Sequence, residues 1–110
     1  MDHLFVYGTL RLGHANEHVM KKIGGEWREA KIRGRWFEEG WGYENHGLCG
    51  MVVDAQGSEI PGQIFSSSNL KNHWGTLDNF EGSDYERVET RAVCSNGDIV
   101  DVYVYALKRG

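Results

Sequence analysis

Glu81 is the residue whose sequence neighbours best suit proton transfer. It lies between Phe80 and Gly82, at the expected end of a helix. A negative charge at a helix C-terminus meets an unfavourable dipole, so a glutamate gains no helix stability there. In an apolar cavity beside Phe80, its carboxyl would have a pKa above the usual value of about 4.3. Such a group suits general acid/base catalysis near neutral pH, although a solvated loop glutamate fits the spacing as well.

A glycine turn after the first apolar run is the second segment suited to chemistry. Phe5, Val6 and Tyr7 are good strand formers, and the run stops at Gly8. A buried strand that ends in a glycine turn exposes backbone N–H groups, which can bind a carboxylate or an oxyanion without any side chain. The sequence therefore predicts an anion-binding loop directly after Tyr7.

Short elements separated by glycines must position these two segments. The chain has 15 glycines and one proline among short apolar runs, which favours a small β-rich fold with tight turns. We expect strands at residues 3–7, 28–37, 49–54, 59–65, 85–94 and 99–106, a hairpin turn at Asn96-Gly97, and helices at 16–23 and 69–80, the second capped by Ser67 or Ser68. This order predicts an α+β fold with a mostly antiparallel sheet of about six strands, curled into a barrel, and two short helices.

Composition narrows the class of protein. The 110 residues suit one domain, and 12 basic against 16 acidic residues give a net charge of −4, which argues against nucleic acid as a partner. No segment approaches the roughly 20 apolar residues of a membrane span, and no signal peptide is recognisable, so we expect a cytoplasmic protein. Cys49 and Cys94 are isolated and are expected to be free thiols. A monomer is slightly favoured, and the sequence leaves the oligomeric state open.

Three blocks of this sequence resemble, in order and spacing, the γ-glutamylcyclotransferase-like family. The blocks are VYGTLR at residues 6–11 with Gly13 and Asn16 following, GQIF at 62–65, and LDxFEGxxYxR at 77–87. Together they span nearly the whole chain. The branch that looks most similar contains the short bacterial proteins and the γ-glutamylamine cyclotransferases.

The resemblance implies a small barrel-like α+β domain over residues 1–110, with a cavity open at one end. It also implies a reaction in which the α-amine of a γ-glutamyl substrate attacks its own γ-carbonyl, giving 5-oxoproline and a free amine or amino acid without a metal or organic cofactor. The residues implied by motif are Glu81 as general acid/base, the backbone N–H groups of Gly8, Thr9, Leu10 and Arg11 as holders of the glutamyl group, and Tyr7 and Tyr85 as cavity lining. Residues 40–47 are expected to form a loop that helps to set leaving-group specificity, and Arg87 to form a structural ion pair.

Three other interpretations compete with this one. The zinc-binding pattern H-x-x-E-H is matched by His14, Glu17 and His18. Zinc needs a third protein ligand, and peptidases with this pattern are far larger than this chain. Solvated histidines are therefore favoured. A non-catalytic module that binds small carboxylates would keep the fold and the loop but would have no need of Glu81. A protein-interaction domain anchored by the four tryptophans is the third, although tryptophans in a small barrel are more often core.

Overall fold

Within residues 1–108, which the computed structural model describes, the chain forms six strands, three α-helices and one short 3₁₀ helix. The strands are β1 (Asp2–Val6), β2 (Glu26–Phe37), β3 (Gly50–Val53), β4 (Ser58–Ser67), β5 (Tyr85–Cys94) and β6 (Ile99–Leu107). The helices are α1 (Glu17–Ile23), α2 (Trp41–His46) and α3 (Trp74–Glu81), and the 3₁₀ helix (Leu70–Asn72) directly precedes α3. No helix in this part of the chain is long and apolar enough to cross a membrane.

Five of the strands close into a barrel, and β3 extends it at one side. The strand order is β3-β2-β4-β1-β6-β5, and β2 also pairs with β5, where Ala30 lies opposite Cys94 and Lys31 opposite Val93. All pairs are antiparallel except β1 with β6. The pairing of β2 with β5 closes the barrel. The predicted α+β barrel with a mostly antiparallel sheet of six strands is therefore confirmed.

The alternation of side chains along β1 divides the core into two clusters. Phe5 belongs to one cluster with Ile32, Ile60 and Ile64 from the barrel strands. Its neighbours Leu4 and Val6 belong to the other, which contains the buried residues of the helices. Successive strand residues point to opposite faces, so β1 has apolar neighbours on both sides. This burial fixes the end of β1, from which the glycine turn departs.

Two helical regions differ from the sequence prediction. The helix expected over residues 69–80 is interrupted at His73, which has a non-helical φ of −126° and ψ of 2°. Neither Ser67 nor Ser68 caps α3 as predicted, because α3 begins only at Trp74. The Ser67 hydroxyl instead donates to the Gly24 carbonyl and accepts the N–H of Asn69.

Residues 40–47, expected as a loop, contain α2, so the described part of the chain has three α-helices rather than two. Gly40 and Gly47 flank the helix with φ of +92° and +70°, backbone that favours glycine. The helix is too short to show a clear apolar periodicity. It is held by tertiary contacts, since the Trp41 ring packs edge-on against Phe80 of α3 with 5.4 Å between centroids.

Candidate active site

Glu81 ends α3 and lines a cavity formed by the end of β1, the turn after it, α2 and β6. The residues that line it are Phe5, Val6, Tyr7, Gly8, Thr9, Leu10, Trp41, Gly42, Leu48, Cys49, Glu81, Tyr85 and Tyr105. Burial raises the pKa of Glu81 from 4.5 to about 7. Within residues 1–108, no hydrogen bond or ion pair uses its carboxylate. Desolvation alone therefore accounts for the raised pKa of Glu81.

Three tyrosines line the cavity with Glu81, and two of them, Tyr7 and Tyr85, are the ones predicted from the sequence. The Tyr7 hydroxyl donates to the Tyr105 carbonyl at 2.6 Å, and burial, followed by the negative charge of Glu81, keeps its pKa well above the usual range. The Tyr85 hydroxyl lies against Gly40 and Gly42, and its pKa is also raised, first by burial. Both phenols stay protonated near neutral pH, so the carboxylate of Glu81 is the one group in this set that changes its charge there.

The turn after β1 presents backbone N–H groups that nothing in the described chain occupies. Asn16 holds the turn through two bonds of 2.8 Å, its N–H to the Thr9 carbonyl and its side-chain amide to the Thr9 hydroxyl. No hydrogen bond within residues 1–108 uses the N–H of Gly8, Thr9 or Leu10. Fixed and unoccupied donors at the wall of a cavity can bind an anion or a carbonyl oxygen.

Arg11 differs from the three residues before it. Its backbone N–H donates to the Gly8 carbonyl at 3.2 Å, and the residue does not line the cavity. The turn closes on itself through this bond, so the Arg11 N–H predicted to hold the substrate is occupied within the turn. The structure thus brings Glu81, Tyr7, Tyr85 and residues 8–10 together and places Arg11 outside.

Contacts to α3 fix the backbone that carries Glu81. The indole N–H of Trp41 donates to the Glu81 carbonyl at 2.7 Å. One turn earlier, Asp78 accepts the Tyr105 hydroxyl at 2.6 Å and the Arg87 Nε at 3.1 Å. The Arg87 guanidinium also lies 4.3 Å from the centre of the Trp74 ring. The structural ion pair predicted for Arg87 is therefore confirmed.

Sequence reasoning missed Trp41, Tyr105 and the clamping role of Asn16. Trp41 belongs to the unforeseen helix α2, and Tyr105 is one apolar residue among many in β6. Of these three residues, only Asn16 could have been recognised from the sequence, because it belongs to the first of the three sequence blocks. Its backbone N–H and its side-chain amide both donate to Thr9.

The zinc pattern does not form a site. His14 lies in the turns before α1, which begins at Glu17, so His14 and His18 do not share a helix face. Glu17 instead accepts the N–H of Gly13 at 3.0 Å and pairs with Lys21. Among the described residues, no group of three or more histidine, cysteine or acidic side chains is arranged to hold a metal ion.

Comparisons with known proteins agree with this architecture. Residues 4–110 match the sequence model of the family described as Gamma-glutamyl cyclotransferase, AIG2-like, whereas no curated protein is a significant match. YkqA from Bacillus subtilis is similar in structure, with a TM-score of 0.72 and 24% identity over 97% of this chain and 36% of YkqA, so the chain spans about a third of that protein. An AIG2-like protein from Mus musculus gives a TM-score of 0.65 and 27% identity over 96% of this chain and 76% of the mouse protein. A structure described as a gamma-glutamyl cyclotransferase gives 0.66 and 15% identity, covering 98% and 67% of the two chains.

Proposed function

Because the chain belongs to the gamma-glutamyl cyclotransferase, AIG2-like family, we propose that it releases 5-oxoproline from γ-glutamyl amines or γ-glutamyl amino acids. The observation that best supports the proposal is the environment of the Glu81 carboxyl and its raised pKa. Its carboxyl lines the cavity, has no hydrogen-bond partner within residues 1–108 and has a pKa of about 7. A carboxyl with that pKa can accept a proton and return it near neutral pH.

The proposed reaction needs one proton carrier and no protein nucleophile. Glu81 accepts a proton from the α-ammonium of the substrate, and the freed amine attacks the γ-carbonyl carbon of the same glutamyl group. Glu81 passes that proton to the nitrogen of the scissile amide, and the C–N bond breaks. The ring nitrogen then loses its surplus proton through Glu81. The leaving group departs as an ammonium ion with the two protons that the α-ammonium lost, so charge and atoms balance.

The turn and the two phenols orient the substrate in this proposal. The N–H groups of Gly8, Thr9 and Leu10 hold the glutamyl moiety, and the neutral hydroxyls of Tyr7 and Tyr85 line its path. Folding the substrate so that its amine meets its own carbonyl supplies proximity and orientation, which lower barriers by roughly 7–11 kcal/mol at best. The reaction requires no metal or organic cofactor, since the nucleophile belongs to the substrate.

We also propose that the protein works in a reducing compartment, the cytoplasm. Cys49 and Cys94 are both free thiols, and Cys94 is buried. Disulfides are rare in cytosolic proteins because thiol reductants keep cysteines reduced there.

The test is a direct assay of the product. The purified protein is incubated with a panel of γ-glutamyl amines and γ-glutamyl amino acids, and 5-oxoproline is quantified by mass spectrometry. We expect release from at least one compound and none from its N-acetyl derivative, in which the α-nitrogen is no longer nucleophilic. Absence of 5-oxoproline across the panel would contradict the proposal.

A non-catalytic module that binds small carboxylates is the second candidate function. It is favoured by one observation, the unoccupied N–H groups of residues 8–10, which need no neighbouring base to bind an anion. Calorimetry separates the two functions. Binding of the panel without any release of 5-oxoproline would support the module.

A further inference from the structure

A groove on the surface of the barrel adjoins the cavity. It shares Tyr7, Leu48 and Cys49 with the cavity, and its remaining lining residues are Arg11, Trp36, Gly47 and Pro61. Glu81 does not line this groove. The groove therefore lies next to the cavity, where the part of a substrate beyond its glutamyl group would extend. The groove is suited to the leaving group of the proposed reaction.

One wall of the groove is aromatic. The Trp36 side chain is 43% exposed, although it is a large apolar residue. Its ring meets the Tyr7 ring edge-on, with 5.8 Å between the centroids. Tyr7 is thus shared by the cavity and the groove, and Trp36 extends its surface outwards. An exposed aromatic surface beside a cavity is a common feature of ligand sites.

The groove is also lined by a positively charged side chain, that of Arg11. The Nε of Arg11 donates to the Gly8 carbonyl at 3.0 Å, which ties the guanidinium to the turn. Within residues 1–108, no hydrogen bond or salt bridge uses its two terminal nitrogens. Glu29 acts on Arg11 electrostatically but is not within salt-bridge distance. The terminal N–H groups are therefore available to an anion.

We propose that Arg11 selects leaving groups that carry a carboxylate, so that the group released from the γ-glutamyl substrate is an amino acid or peptide rather than a simple amine. This inference rests on the proposed cyclotransferase function. The paired N–H groups of a guanidinium fit the two oxygens of a carboxylate, and charge-assisted bonds of this kind are about twice as strong as neutral ones. Trp36 would contact the side chain of the released amino acid.

The experiment compares two substrates that differ only in the carboxylate. γ-Glutamyl-phenylalanine and γ-glutamyl-phenethylamide have the same aromatic ring and the same scissile amide. We expect kcat/KM for the phenylalanine compound to be at least about tenfold higher, since a hydrogen-bonded charge pair is worth at least that factor. We expect Arg11→Gln to bring the ratio of the two values close to one, mainly through KM, and Arg11→Lys to restore part of it.

A distant arginine provides the matched control. Arg91 on β5 is 80% exposed, pairs with Asp101 and lines neither the cavity nor this groove. Arg91→Gln removes the same charge from the protein and should leave the substrate ratio at the wild-type value. This control separates a local effect of Arg11 from a change in overall charge.

The outcomes distinguish the two proposals. If 5-oxoproline is released from both compounds at similar kcat/KM, or if Arg11→Gln leaves the ratio unchanged, the assignment of Arg11 is overturned while the cyclotransferase activity stands. If neither compound nor any other member of the panel yields 5-oxoproline, the proposed function is overturned and this inference with it.

Discussion

Replacing Glu81 with glutamine should make the protein more stable at alkaline pH. Glu81 is partly buried, its carboxyl has no partner in the described chain, and desolvation raises its pKa from 4.5 to about 7 on folding. The folded state therefore binds a proton more tightly than the unfolded state does. Because the unfolded chain loses this proton first, the free energy of unfolding decreases as pH rises from about 4.5 to about 7.

The size of this loss follows from the two pKa values. One pKa unit corresponds to about 1.4 kcal/mol, so the charged carboxylate lowers the free energy of unfolding by about 3 kcal/mol at pH 8. At pH 5 the carboxyl of Glu81 is protonated in the folded state, so the loss of stability is less than about 1 kcal/mol. Glutamine has nearly the same shape and no charge. Glu81→Gln should thus gain about 2 to 3 kcal/mol over wild type between pH 5 and pH 8.

Urea denaturation of both proteins at a series of pH values measures this gain. The control is Glu86→Gln, at an exposed glutamate of β5. Because Glu86 is exposed, its replacement should change the stability difference from wild type by less than about 0.5 kcal/mol between the same pH values. If the stability difference between Glu81→Gln and wild type changed equally little with pH, the argument that desolvation destabilises the charged carboxylate of Glu81 would be refuted.

Two further predictions follow from the same region. Gly40→Ala should lower the free energy of unfolding by about 2 kcal/mol or more, because Gly40 has a φ of +92° and an added Cβ would collide with the Tyr85 hydroxyl. Gly75→Ala is the control: its Cβ would enter open space on α3, so it should raise the free energy of unfolding by about 0.5–1 kcal/mol. Thermal denaturation measures both variants, and a Gly40→Ala protein more stable than Gly75→Ala would contradict the geometry. The pH dependence of kcat/KM should show activity falling below a pKa of about 7, since Glu81 must be charged to accept a proton. A profile that stays flat down to pH 5 would exclude Glu81 as the base.

The sequence was sufficient to predict the barrel strands. Apolar runs such as Phe5, Val6 and Tyr7 end at turn residues, and the Asn96-Gly97 pair identifies the hairpin between β5 and β6. These signals are local, so they can be recognised without knowledge of the fold. The burial of Glu81 did not follow from these signals, because a solvated loop glutamate fits the same spacing beside Phe80.

The remaining features depend on contacts between distant segments. Helix α2 exists because Trp41 meets Phe80 and donates to the Glu81 carbonyl, and neither contact is visible in the residues 40–47 themselves. The separation of Arg11 from the cavity depends on how tightly the turn closes on the Gly8 carbonyl. Spacing indicates that a turn is present, but only the structure shows which N–H groups the turn uses internally.

The most direct test of the account is the turnover of Glu81→Gln on the best γ-glutamyl substrate. The variant should fold, bind the substrate with nearly wild-type affinity by calorimetry, and release 5-oxoproline at least about a hundredfold more slowly, because general acid/base groups typically contribute 10²–10⁴-fold. Glutamine preserves the shape of the site but cannot carry a proton. If Glu81→Gln released 5-oxoproline at a rate near that of wild type, Glu81 would not be the proton carrier and the central claim would be wrong.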